Sequence, residues 1–356
     1  MNVGRLHGGA VVVEEAPDPV AGPGEVVVRL AACGVCGTDL EKLRGNYKTA
    51  GKIGHEPVGV LDAVGSGVSG LRVGDRVFVH HHVPCLTCEV CRRGDLTFCP
   101  TYAATNLDPG GFADRFRVPA ENVARSAVLR LDRSVGWEAG TLLEPAGCAL
   151  TALRRVGFRA GDSVFVVGLG PVGILYGLVA KALGASWVGG AEIAPLRRAT
   201  AVRSGFAAAV DPRDSAALDR LVTDATGGRG VDLAVAATGA PPAIALATRL
   251  ARRAGTMNLF GLPESGGTLG ADLQELYLRG VRVIPTYATT EREIADVHAL
   301  LVGGTLDVAG IVTHTLPLAR LPEAFALAGR PDEAVKVAVT GPAFGAGETG
   351  RPPQSP

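Results

Sequence analysis

The chain has 356 residues, and its 35 Lys+Arg balance 35 Asp+Glu to a formal net charge of zero. Hydrophobic residues make up 47% and charged residues 20%, which excludes a disordered chain and argues against a nucleic-acid binder that works through a basic excess. The length accommodates two domains.

No stretch of about 18 uninterrupted apolar residues occurs, so no membrane span is expected. The start, MNVGRLHGGAVVVEEAPDP, lacks the charged and apolar regions of a signal peptide, and a cytoplasmic protein is expected. Of seven cysteines, four lie between 85 and 99, a clustering that points to metal before disulfides in such a compartment.

To about residue 150 the pattern is short β-like runs ended by Gly and Pro: AVVVEEAP, GEVVVRLAAC, PVGVLDAVGSGV and DRVFVHHHVP. Such runs predict a barrel or sandwich. From about 160 strands alternate with helices. SVFVVG, SWVGGAE, AAAVDP, VDLAVAATG and TMNLFG read as strands, and PVGILYGLVAKALGA, PLRRATAVRSG and AIALATRLARRAG as helices. That rhythm predicts crossover units and a parallel sheet. A third stretch holds a strand-like RVIPTYA, a helix EREIADVHALLVGG, the run IVTHTLPLARLPEAFALAG and a strand VKVAVT. RVIPTYA has the character of an edge strand able to pair across a subunit interface. The expected division is 1–150, 151–287 and 288–342, with a disordered tail at 343–356.

Gly168, Gly170, Pro171, Val172 and Gly173 belong to GLGPVG, a G-x-G-x-x-G between strand-like SVFVVG and a helix. The first glycine permits the tight turn, the second lets a pyrophosphate approach the backbone, and the third lets helix and sheet pack closely. The helix N-terminus then offers N–H groups to the phosphates. Glu192 ends the next strand 19 residues after Gly173, placed to hold ribose hydroxyls. A carboxylate there repels a 2′-phosphate, so NAD is favoured over NADP, with Arg197 and Arg198 able to soften that preference. A structural glycine turn without a dinucleotide is the alternative.

Cys85, Cys88, Cys91 and Cys99 have the spacing C-x2-C-x2-C-x7-C. Four thiolates suit a closed, tetrahedral structural zinc. An iron–sulfur cluster and inert surface thiols are the competing readings. So is a nucleic-acid-binding zinc ribbon, but Arg92 and Arg93 are offset by Glu89 and Asp95.

Cys36 in AACGVCGTDL and His55-Glu56 in KIGHEP put a thiolate, an imidazole and a carboxylate on glycine-flanked turns. Three protein ligands plus water is the arrangement of a catalytic zinc, although spacing alone leaves an incidental trio open.

GVCGTD, GHEP, the four-cysteine lobe, LLEPAGCAL and VGLGPVG occur in one order from about residue 8 to 341. The chain thereby resembles the zinc-dependent medium-chain dehydrogenases/reductases, most of all the sorbitol, threonine and glucose dehydrogenase branches. The resemblance implies an α/β chain with a GroES-like, β-rich catalytic domain, a Rossmann domain, and a C-terminal segment that returns to the catalytic part. It implies two zincs, one structural and one catalytic. Cys36 and His55 would be catalytic ligands, with Glu56 ligating directly or intermittently. Glu144 of LLEP stands where the alcohol dehydrogenases proper use a cysteine, and would ligate zinc or hold its water. Thr38 matches the hydroxyl that relays the substrate proton, and Asp39 braces that turn. Glu41 stands where a relay histidine is often found.

The implied reaction moves a hydride between NAD(P) and a secondary alcohol of a sugar, polyol or (amino)cyclitol, a role in secondary metabolism included. A threonine-type or simple secondary-alcohol dehydrogenase is the enzymatic alternative. A small-molecule substrate, no nucleic acid, no membrane, and a homodimer or homotetramer complete the expectation.

Other chemistry-bearing residues receive plainer readings. Cys148 is expected as a buried core thiol. His80, His81 and His82 are expected to close a strand and pack at solvent or a domain interface. Asn106 and Asp108 fit turn chemistry, and His298 and His314 packing or surface positions.

Overall fold

The computed structural model describes residues 1–46, 52–263 and 265–345. Two large sheets carry the chain. Six parallel strands run in the order Ala208–Val210, Trp187–Ala191, Ser163–Val167, Val231–Ala236, Ala251–Leu259 and Arg282–Pro285. By chain position that order is 3-2-1-4-5-6, the doubly wound Rossmann topology. It reverses between Ser163–Val167 and Val231–Ala236, and such a switch point opens a crevice at the strands' carboxyl ends. Both faces of the sheet are covered. Val164 and Val166 pack into one apolar cluster while Phe165 and Val167 pack into another, as the two-residue side-chain period requires.

The second sheet is mostly antiparallel. Its order is Val312–Pro317, Lys336–Thr340, Val26–Gly34, Pro57–Val64, Arg76–Val79 and Val128–Arg130, with Arg115–Val118 also paired to Val26–Gly34. The strand Lys336–Thr340 therefore comes from the end of the chain and inserts beside Val26–Gly34. A separate hairpin pairs Asn2–His7 with Ala10–Glu15.

The helix Leu143–Val156 joins the two halves. Its Leu143, Leu150 and Leu153 share one cluster with Val58 and Phe78 of the antiparallel sheet and with Val164 and Val166 of the parallel one. Burial on both sides fixes it as a spine, ended by Gly157 at a φ of 73°.

Three sequence readings change. AIALATRLARRAG was expected to be helical throughout, but the helix is Pro241–Leu250 and Ala251 starts the next strand. Ala251 pairs with Val231 and the ladder resumes at Thr256 opposite Leu233, with Arg252–Gly255 in the irregularity between them. The strand before the histidines stops at Val79, so His80–His82 lie in the following loop. The expected tail is ordered at its start: Ala343 is buried and its amide donates to Leu30 O at 2.8 Å. Residues 346–356 lie outside the described residues. RVIPTYA does supply an edge strand, Arg282–Pro285. Among the described residues no helix is long and apolar enough to cross a membrane.

Candidate active site and metal centres

Cys85, Cys88, Cys91 and Cys99 converge, with one ligand atom from each within 4.8 Å of the others. A short helix, Glu89–Arg92, starts on Cys88, and local N–H groups aim at the sulfurs. The amide of Cys88 donates to Cys85 Sγ at 3.3 Å, that of Cys85 to Cys99 Sγ at 3.3 Å, and that of Cys91 to Cys88 Sγ at 3.5 Å. The Thr87 hydroxyl also donates to Cys85 Sγ, and these donors lower the Cys85 thiol to about 5. Amide donors around four clustered sulfurs suit thiolates closed around one cation. All seven cysteines are free.

Cys36, His55 and Glu56 form the second cluster, again within 4.8 Å. Cys36 is the N-cap of the helix Gly37–Leu43, and Asp39 Oδ2 accepts the Cys36 amide at 3.2 Å. The buried Asp39 also lies 3.4 Å from His55 Nδ1, an ion-pair contact without good hydrogen-bond direction. Burial alone would raise the Asp39 carboxyl, but His55 outweighs it and brings it to about 2. Burial likewise opposes a charged His55, yet Asp39 and Cys36 hold its imidazole well above the ordinary range. Asp39 therefore does more than brace its turn: its carboxylate sets a negative charge beside a candidate ligand.

The sequence reading also missed Lys336. Its Nζ lies 2.5 Å from Glu56 Oε2, and both side chains are buried. A buried carboxylate this close to an ammonium is charge-balanced without a metal ion. The pair depends on Gly34, where a Cβ would fall 1.9 Å from Glu56 Oε2. An obligatory glycine directly across from GHEP was the one local signal available.

Glu144 is nearly buried on the first turn of Leu143–Val156. It lies close enough for its charge to act on Glu56, but it is not among the three converging groups. Cys148 is not a core thiol, because it donates to Glu144 Oε1 at 3.3 Å. The Thr38 hydroxyl sits 3.7 Å from Cys36 Sγ. Glu41 is occupied by Arg44 and Asn46 at 2.6 and 2.7 Å.

The histidine run borders this site. The His81 ring lies tilted, 5.1 Å from the His55 ring and 3.8 Å from that of His82. His82 Nδ1 meets Thr105 O at 2.5 Å, while buried His80 pairs with Glu291 at 2.8 Å across to the C-terminal segment. Asn106 makes the expected turn contact, accepting the Leu107 amide, whereas Asp108 is not in turn chemistry but in ion pairs with Arg117 and Lys52. His298 accepts the Asp132 amide, and His314 is exposed.

At the switch point the glycine turn has the expected form. Gly168 has a φ of 95°, and a Cβ at Gly173 would lie 2.0 Å from Gly168 O. A Cβ at Gly170 would meet only Arg197 Nη1, at 3.8 Å, so the backbone there is open to a ligand. Pro171 and Val172 begin the helix Pro171–Ala182. Glu192 accepts the Leu169 amide on one oxygen and those of Ile193 and Ala194 on the other, at 2.8–3.0 Å. Arg198 is spent on Glu192 O, Ile193 O and Asp211. Arg197 lies at the turn with its Nε buried and without a partner among the described residues.

Residues 22–127 match the alcohol dehydrogenase GroES-like domain, and residues 171–303 match the zinc-binding dehydrogenase family. The L-threonine 3-dehydrogenase of Pyrococcus abyssi is 34% identical over 88% of this chain and 90% of its own length. The chain belongs to the zinc-dependent medium-chain dehydrogenase/reductase family. The sorbitol dehydrogenase of Bacillus subtilis is 32% identical over 71% of this chain and 72% of that one. A zinc-binding dehydrogenase from Sinorhizobium meliloti, solved bound to NADP, superposes with a TM-score of 0.85 at 26% identity, covering 95% and 98% of the two chains. Membership makes this protein an NAD(P)-linked alcohol or polyol dehydrogenase with a GroES-like and a Rossmann domain.

Proposed function

We propose that this dehydrogenase oxidises a secondary alcohol of a polar substrate, a sugar, polyol or (amino)cyclitol, or reduces the matching ketone, with roles in secondary metabolism included. The observation that carries the reading is the convergence of Cys36, His55 and Glu56 beside the Thr38 hydroxyl. Thiolate, imidazole and carboxylate are the donor set of an open zinc site, and four clustered thiols are that of a closed one. Zinc bound at the open site would supply a Lewis acid that lowers the pKa of the substrate hydroxyl, and NAD would accept the hydride.

The protein's own groups do the rest. Cys36 and His55 would hold the metal, with Asp39 beside the imidazole, and Glu56 would be the third ligand or stay paired with Lys336. Thr38 Oγ1 takes the substrate proton outward. Gly168, Gly170 and Gly173 would admit the pyrophosphate, Glu192 would receive the ribose, and Arg197 lies beside the turn. The Glu192 carboxylate favours NAD, even though the Sinorhizobium relative holds NADP. His81, whose ring lies beside that of His55, would give the substrate a polar neighbour, which favours a hydroxylated substrate over a simple alkyl alcohol.

We also infer a cytoplasmic homodimer or homotetramer, with the edge strand Arg282–Pro285 at a subunit contact. Support comes from the exposed Leu273, Tyr277 and Leu278 just before it, and from seven unpaired cysteines. Turnover across a panel of polyols, cyclitols, threonine and simple secondary alcohols, with NAD or NADP, tests the function. The proposal expects NAD-dependent oxidation of polyols or cyclitols. Threonine as the sole substrate would overturn the substrate class.

A further inference from the structure

His80, His81 and His82 form a loop after the strand Arg76–Val79, and the middle residue lies beside a candidate metal ligand. That ligand, His55, is buried, and its Nδ1 has no hydrogen-bond partner among the described residues. A metal-bound imidazole needs its ring fixed, usually by a hydrogen bond through the second nitrogen. Packing against the tilted His81 ring, 5.1 Å away, takes a share of that work here. His81 Nδ1 is itself buried without a partner among the described residues, so that nitrogen does not hold the ring.

The backbone that carries His81 is held from two sides. Thr105 is nearly buried, and its Oγ1 accepts the Val83 amide at 2.9 Å and donates to Tyr102 O at 3.1 Å. Its own carbonyl accepts from His82 Nδ1 at 2.5 Å. From the other side Asn122, buried in the helix Ala120–Ala124, donates from Nδ2 to His81 O at 3.0 Å. Buried backbone groups that lose such partners bear their full desolvation cost, so both contacts resist movement of the loop.

We propose that Thr105 and Asn122 are positioning residues that clamp the His80–His82 loop and so keep the His81 ring against the metal ligand His55. This rests on the catalytic-metal reading above. Cys99, the last ligand of the closed lobe, starts the short helix Pro100–Ala104, and Thr105 ends it. The lobe therefore shapes the open site as well as its own fold.

Two readouts test this without turnover. Labelling by diethyl pyrocarbonate, mapped residue by residue, reports how often His81 leaves its place. In the cobalt(II) protein, bands absent from Cys36→Ser report the open site, since the four-cysteine lobe is common to both. Thr105→Val keeps the shape and removes the hydroxyl. His81 labelling should then rise about tenfold, the scale of one lost buried hydrogen bond. The open-site bands should shift while those of the lobe stay, and Thr105→Ser should restore both readouts. Asn122→Leu should repeat both changes from outside the lobe, which keeps the test decisive where valine disturbs the lobe itself. Unchanged labelling or unchanged open-site bands in Asn122→Leu, or changes that Thr105→Ser does not reverse, would overturn the positioning role and leave the metal reading intact. Cobalt spectra identical in the wild type and Cys36→Ser would instead overturn the metal reading, and labelling alone would then decide the clamp.

Discussion

The four-cysteine lobe and the Cys36–His55–Glu56 site gather similar ligands by opposite routes. The lobe takes every sulfur, and most of the N–H donors that tune them, from residues 85–99. The other site draws Cys36 from a helix start, His55 and Glu56 from the approach to Pro57–Val64, Lys336 from the far end of the chain, and Glu144 from the spine helix. A contiguous cluster closes on itself, whereas one assembled from separate elements can keep a gap between them. On the proposed function the first arrangement would serve stability and the second chemistry.

Two substitutions should break that comparison most visibly. Cys36→Ser is expected to abolish turnover and leave the thermal unfolding transition where it was. Cys91→Ser is expected to unfold the lobe and lower the transition, because a structural metal contributes directly to folding. Calorimetry beside a turnover assay checks both, and equal thermal losses in the two variants would erase the distinction. Lys336→Met should come next. It leaves Glu56 buried without its cation, at a cost of about 3–5 kcal/mol by denaturant unfolding of the metal-free protein. Bound zinc should recover part of that loss by taking over the charge balance.

The order of legibility follows the same division. The lobe and GLGPVG could be read directly, since each packs its chemistry into one short segment with a fixed spacing. GHEP and LLEP were recognisable only as parts of a family pattern. Lys336 was not legible, because VKVAVT reads as an ordinary strand and only the sheet register brings it across from Glu56. Cys148 stood within helical spacing of Glu144, yet a cysteine in an apolar run looks like core. The histidines after Val79 were read through strand alternation, which ends before they begin. Arg252 and Arg253 misled in the other direction: their composition is helix-like, but the helix ends where Ala251 pairs with Val231, and they fall in the irregular stretch before the ladder resumes.

The dinucleotide turn is also locally encoded, but its effects should be graded. Glu192→Gln keeps an acceptor for the Leu169 amide and removes the charge. It should shrink the NAD-over-NADP preference by about tenfold, or ~1.4 kcal/mol, measured as the ratio of kcat/KM values. An unchanged ratio would remove Glu192 from the ribose role.

The most direct test of two differently built metal sites is zinc per chain in the purified protein and in its Cys36→Ser variant. The account predicts two zincs in the first and one in the second. One zinc in the wild type, or two in the variant, would contradict it.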